Sequence, residues 1–202
     1  MARKEPGGAD EGERDARTDT REAILAAGRL AVQAHGYNAL SFRELAKDVG
    51  IKSASVHYYF PTKGDLAAAL AGRYADEAEA FLGELSASGL PHDELMRAYA
   101  AAFRVALENE NRMCLCGIMT AEYDGLPQEA RVEVDRFAQV NAEWLAATLA
   151  RRHRKIPPQE LEQRAVAIFA AIEGAQLIAR GRKDAAAFDQ IIETYRAVGL
   201  FS

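Results

Sequence analysis

Along most of the chain, apolar residues recur every three to four positions, the spacing that gathers them on one face of a helix. From Thr20 to Gly36 the stretch TREAILAAGRLAVQAHG keeps Ile24, Ala27, Ala31 and Ala34 in that register. Thr20 is placed to cap the start of this helix and Gly36 to close its end. Ser41, with Glu44 three residues on, reads as a capping box ahead of FRELAKDVG, a short helix that stops at Gly50. A third helix starts near Lys52 and must end before Pro61, because the residue preceding a proline disfavours helical backbone. Thr62-Lys-Gly-Asp65 opens a long fourth helix whose Leu66, Leu70, Tyr74, Phe81 and Leu85 share a face.

Breakers divide the rest in the same way. Gly89-Leu-Pro91 precedes a helix that runs to about Asn109, and a short one spans 115–123. Leu126-Pro127 opens a long helix through Trp144 to Arg152, Pro157-Pro158 opens another to Arg180, and the last covers about 185–198. No period-two alternation points to a sheet, and no segment repeats. The pattern predicts an all-α protein of about nine helices, with a boundary between units near Pro61–Asp65. It divides into a disordered, charge-mixed tail at 1–17, a small helical unit at 18–64 and a larger helical unit at 65–202.

Composition agrees: alanine-rich and 49% apolar, with six prolines and 8% aromatics, the chain suits helices better than sheets. No apolar run approaches the roughly 18 residues a membrane span requires. The first twenty residues hold no hydrophobic segment of the kind a secretory signal needs, and Cys114 and Cys116 stand too close together for a disulfide framework. The expected location is the cytoplasm. A net charge of −5 argues weakly against a nucleic-acid partner, but the charge is unevenly spread. Residues 17–65 carry seven Lys/Arg against five Asp/Glu, whereas the acidity sits in residues 66–202, with fifteen against twenty.

The stretch Ser53-Ala-Ser-Val-His-Tyr-Tyr-Phe-Pro61 places three aromatics and a histidine in four consecutive positions, so both faces of one short helix must be used. With Phe42 as the first position of a window, Leu45, Ala46, Val49, Gly50, Ile51, Val56 and Tyr59 fall where a helix-turn-helix needs its wedge, its small crossing residue and its glycine turn. Tyr59 and Phe60 then turn inward. Lys52, Ser53, Ser55, His57 and Tyr58 are left outward, a set of donors suited to base edges and phosphate oxygens.

In these motifs the sequence resembles the TetR family of bacterial transcriptional regulators. The likeness is carried by Thr20-Arg-Glu-Ala-Ile-Leu-Ala-Ala27, by Gly36-Tyr37 and by SFRELAKDVGIKSASVHYYFPTKGDLAAAL over 41–70. It implies an N-terminal DNA-binding unit of three helices and a helical C-terminal unit that binds an inducer and forms a homodimer. It further implies that Arg43, Ser53, Ser55 and His57 face the major groove, and that Thr20, Lys52, Tyr58 and Lys63 hold phosphates. His57 and Ala54 depart from the family's commoner tyrosine and its glycine or proline, which leaves the base preference open. The expected function is a dimeric regulator, by family a repressor, on a pseudo-palindromic operator, released by a small-molecule inducer. No cofactor, metal or membrane partner is expected, and no enzymatic activity.

For the dimer interface the sequence offers Ile168, Ile172, Ala175 and Ala179 on one helix, and Phe188, Ile192 and Tyr195 on the next. A ligand pocket is expected among Phe103, Met119, Tyr123, Trp144 and Phe169, with Glu173 and Gln176 as its polar residues. Cys114, at the start of a short helix beside Arg112, is placed where backbone N–H groups favour a thiolate. It is therefore a candidate target of electrophiles or oxidants. A helical enzyme with a cysteine nucleophile is the rival reading, and it would need His92 or His153 as base.

Overall fold

The computed structural model describes the backbone from residue 8 to residue 201 and the side chains from residue 17 onward. Among the described residues there are nine α-helices and no strand: α1 (Gly8–His35), α2 (Phe42–Val49), α3 (Ser53–Tyr59), α4 (Lys63–Ala87), α5 (His92–Glu108), α6 (Leu115–Thr120), α7 (Gln128–Arg152), α8 (Pro158–Arg182) and α9 (Ala185–Ala197). A single 3-10 turn, Tyr123–Gly125, joins α6 to α7.

Two local expectations change. Helix α1 is already formed at Gly8, so Thr20 lies inside it rather than at its cap, and residues 8–17 of the expected tail are helical. The segment after Pro6 contains no breaker beyond its glycines, and its Glu, Ala and Arg residues favour helix once α1 is nucleated. Residues 1–7 of that tail lie outside the described residues. The capping box moves as well. Ser41 occupies the N-cap of α2 without a side-chain bond, and the Glu44 carboxylate accepts from Arg43 instead of reaching back to the cap. The reciprocal box forms at α4, where Asp65 N–H donates to Thr62 Oγ1 at 3.1 Å and Thr62 N–H donates to Asp65 Oδ2 at 2.8 Å.

Helices α1 to α3 pack as a small unit around Ile24, Val32, Leu40, Leu45, Val56 and Phe60. Gly50 at φ 76° ends α2 in the left-handed conformation the tight turn requires. In the larger unit α4 runs along α7, and α8 packs against α5, α7 and α9. This three-sided packing turns the residues expected at the dimer interface into the chain's own core. Ile168, Ile172, Ala175, Ala179, Phe188 and Ile192 are all buried within the chain, and Tyr195 is half-buried. The apolar stripe of α8 was legible in the sequence. Which of its faces turns inward was not, because Val166, Ala167, Ala170, Leu177 and Ile178 make a second apolar face on the same helix, and it is this one that stays exposed.

Candidate functional site

The helix-turn-helix forms as its pattern requires. Val56 and Phe60 anchor α3 in the core, Tyr59 packs against that core, and Tyr58 is 67% exposed. Lys52, Ser53 and His57 are exposed on the same side as Tyr58, with Ser55 half-buried at their edge. The His57 ring meets Phe42 edge-on at 4.8 Å, and its Nδ1 lies 3.4 Å from the Pro61 carbonyl, so one packing contact fixes the ring. Arg43 projects from α2 almost fully exposed, in a loose pair with Glu44 at 3.2 Å.

Two residues of the expected DNA-contacting set are placed differently. Thr20 is half-buried in the middle of α1. Lys63 is already engaged: its Nζ donates to the Asn38 carbonyl at 3.1 Å and sits 4.3 Å over the Tyr37 ring. Burial lowers the Lys63 pKa, and the nearby Glu122 carboxylate offsets part of that.

Besides the ion pairs Arg29–Glu77 and Arg73–Glu22 between α1 and α4, three links tie this unit to the larger one, and none was foreseen from the sequence. Glu122, just past α6, accepts from Asn38 N–H and from Asn38 Nδ2, each at 3.1 Å. Its carboxylate occupies the space of the missing side chain at Gly36, where a Cβ would stand 2.7 Å from Glu122 Oε1. Gly36 also has φ 85°, so both backbone and space demand glycine there. At the start of α6, Met113 N–H donates to the Gln33 carbonyl at 3.1 Å, and Gln33 Nε2 donates back to the Met113 carbonyl at 3.0 Å. Arg180 of α8 reaches the Ala34 carbonyl at 2.5 Å, closing the C-terminus of α1. Only the glycine had a sequence signal; the partners lie 80 or more residues apart.

Within the larger unit a cavity of about 870 Å³ opens between α6, α7 and α8, lined by Cys116, Gly117, Ile118, Phe137, Phe169 and Glu173 among others. A smaller cavity of about 160 Å³ lies between α1, α4, α5 and α7, with Tyr74, Tyr99, Phe103 and Phe137 in its walls. The expected pocket residues divide between these cavities and the core. Phe169 and Glu173 line the large cavity, and Phe103 the small one. Met119 is fully buried in the core. Trp144 stacks on Tyr99 at 5.0 Å and donates Nε1–H to Ser86 Oγ at 2.9 Å, outside both linings. Tyr123 faces away, its hydroxyl on Asp135 at 2.8 Å. Gln176 is a strut: its Oε1 accepts from Cys114 N–H at 2.8 Å and its Nε2 donates to the Phe103 carbonyl at 2.6 Å. Fully buried and bonded at both amide ends, it lines neither cavity.

The cysteines differ from expectation. Cys114 does cap α6, its Sγ accepting from Gly117 N–H at 3.4 Å, but its side chain is buried and lines neither cavity. Burial pushes both thiols well up, and the nearby Glu173 carboxylate adds to the rise in each. The dipole of a six-residue helix does not offset that desolvation, so the resting groups are neutral thiols. Among the described residues no hydrogen bond joins a histidine to either thiol; His92 Nε2 meets the Phe201 carbonyl at 2.9 Å. Burial also raises Glu173, from 4.5 to about 7, with the Cys114 thiol holding it lower than burial alone would.

Residues 24–70 match the sequence profile of the bacterial regulatory proteins of the tetR family. A transcriptional regulator of the TetR family from Agrobacterium tumefaciens is 30% identical, with 87% of this chain and 94% of that chain covered and a TM-score of 0.80. The chain belongs to the TetR family. A TetR transcriptional regulator from Legionella pneumophila is 29% identical over 89% of this chain and 96% of its own, with a TM-score of 0.82. An uncharacterised helix-turn-helix-type transcriptional regulator of Mycobacterium tuberculosis is 26% identical over 85% of this chain and 89% of its own length. The protein is thus a DNA-binding transcriptional regulator of TetR type, a family of dimeric DNA-binding proteins that are generally not enzymes. No helix among the described residues is long and apolar enough to cross a membrane.

Proposed function

We propose that the protein is a homodimeric repressor of the cytoplasm that holds a pseudo-palindromic operator through α3 of each protomer and lets it go when a small molecule fills the cavity behind α6. The observation that carries this reading is the position of α6. The helix supplies one wall of the 870 Å³ cavity through Cys116, Gly117 and Ile118. Its two ends are fastened to the small unit, at Met113–Gln33 and at Glu122–Asn38. A ligand that shifts α6 therefore shifts α1 and the entry to α2 with it. Two recognition helices on a dimer must sit about 34–36 Å apart to meet successive major grooves. A small rotation of each unit is enough to spoil that spacing, and the ligand acts by favouring the spoiled state.

In this reading residues 18–64 form the DNA-binding unit and 65–202 the sensing and dimerising unit. Arg43, Ser53, Ser55 and His57 read bases, while Lys52, Tyr58 and Thr20 contact the backbone. Lys63, held on Asn38 and Tyr37, fixes the start of α4 and offers phosphate its residual exposure. The dimer face is the exposed side of α8 around Ile178, next to Val166, Ala170, Gly174 and Leu177, which also line the mouth of the ligand cavity. The neutral, buried thiols favour a non-covalent inducer over attack at Cys114.

The test is fluorescence anisotropy on DNA upstream of the protein's own coding region, followed by selection of bound fragments from the whole genome. A two-fold symmetric site bound by a dimer at moderate salt supports the proposal. An empty selection sinks it.

A further inference from the structure

Among the described residues Glu173 is the one carboxylate that lines the large cavity, and no cation pairs with it. Its stem lines the cavity, while both carboxylate oxygens are buried with no hydrogen-bond partner of ordinary geometry. The carboxylate lies directly under Gly117, where any Cβ would overlap Oε2, so α6 leaves room for the acid and offers it only the weakly donating Cys114 thiol at its cap. The charged and titratable groups that face it are Cys114 and Cys116 on α6 and Tyr99 on α5. None of these is a cation. Of the two basic residues in the lining, Arg180 is spent on the α1 carbonyls, and Lys183 stands exposed at the C-terminal end of α8 with no ion pair to Glu173. Ile118, Val134, Phe137 and Phe169 make an apolar part of the wall, while Asn111, Thr120 and Lys183 add polar groups to the rest of the lining.

A buried acceptor without a donor costs stability unless something else meets it. We infer that the cavity between α6, α7 and α8 takes a lipophilic amine, whose ammonium group donates to Glu173 while its apolar body lies against Phe137 and Phe169. This rests on the ligand-release reading above and names the chemical class of that ligand. A charge-assisted bond formed away from water is strong enough to dominate head-group selectivity. It also places the ligand's head beneath Gly117, at the part of the wall whose movement reaches Met113 and Gln33.

The test uses three probes that share one apolar body: 6-phenylhexylamine, 6-phenylhexan-1-ol and 6-phenylhexanoic acid. Each is titrated calorimetrically into the full-length protein and into E173Q, with DNA release followed in parallel. The wild type is expected to bind the amine at least tenfold more tightly than the alcohol or the acid, more so at pH 8 than at pH 6. In E173Q that preference disappears while alcohol binding and DNA binding persist, which also shows that the variant is folded. Equal binding of all three probes, or an amine preference that survives E173Q, overturns the inference and leaves the ligand-release reading standing. If no probe binds and none releases DNA, both fall. If instead E173Q weakens dimerisation and no amine preference exists, the missing donor comes from a second copy and the inference is wrong.

Discussion

Gln33 and Met113 exchange two hydrogen bonds across 80 residues of chain, one through the Gln33 carbonyl and one through its side-chain amide. The pair sits where the C-terminal turn of α1 meets the loop before α6, and Gln33 is only 6% exposed. Gln33→Ala keeps the backbone bond but strands the Met113 carbonyl. The expected cost is about 1–3 kcal/mol in denaturant unfolding, the penalty of an unsatisfied buried acceptor. The same variant should bind DNA while responding less to inducer. Full inducer response at reduced stability would mean that the signal passes elsewhere.

Glu122 and Gly36 form the second link, and they permit a double-mutant cycle. Gly36→Ala meets both an unfavourable φ of 85° and the Glu122 carboxylate. It should cost about 1–2 kcal/mol from the backbone alone, and more from the overlap. Adding Glu122→Ala should return the overlap portion and leave the backbone portion. Strict additivity of the two stability changes would show that the side chains do not meet.

On DNA the two kinds of contact separate by experiment. Arg43→Ala or Ser53→Ala should lose about 1–3 kcal/mol at one operator position and relax the choice of base there. Lys52→Ala should weaken all sequences alike and reduce the slope of affinity against salt by about one. The check is anisotropy on a set of single-substitution operators at several salt concentrations.

The raised value of Glu173 carries a sign. Its carboxyl ionises near 7 in the folded protein and near 4.5 when free, so between those values the folded state holds a proton that the unfolded chain has lost. Stability should therefore fall as pH rises from about 4.5 through 7, by about 3 kcal/mol at most from this group. E173Q should match the wild type at low pH, exceed it in stability at pH 8, and flatten this part of the profile. Parallel profiles for the two proteins would show that Glu173 ionises as freely as a surface carboxyl.

The two faces of α8 give a last contrast. Ile178→Glu changes a residue that is 48% exposed and lines neither cavity, and it should leave the monomer folded but shift the mass in light scattering from dimer to monomer. Ile168→Ala instead opens a hole at a fully buried position and should cost about 2–5 kcal/mol of fold stability. Loss of the dimer in Ile168→Ala at undiminished stability would return the interface to the face read from the sequence.

Much of this protein was written locally. Helix period, breakers and the spacing from Phe42 to Tyr59 determined the nine helices among the described residues and the helix-turn-helix, because those signals lie within a turn or two of the residues they govern. The same local pattern settled which aromatics of α3 turn inward: Val56, Tyr59 and Phe60 fall at one helical spacing and Tyr58 does not. The tertiary structure decided matters that depend on partners far away in sequence. Helix α8 carries apolar residues on two faces, and only its packing against α5, α7 and α9 selects the buried one. Cys114 occupies a helix start that reads as thiolate-stabilising, and only the burial around it reverses the sign. Gln176 and Glu173 sit three residues apart on one helix and look equally fit to meet a ligand. Packing satisfies both ends of the first and neither oxygen of the second, because a hydrogen bond needs a partner in space and a sequence records only neighbours along the chain.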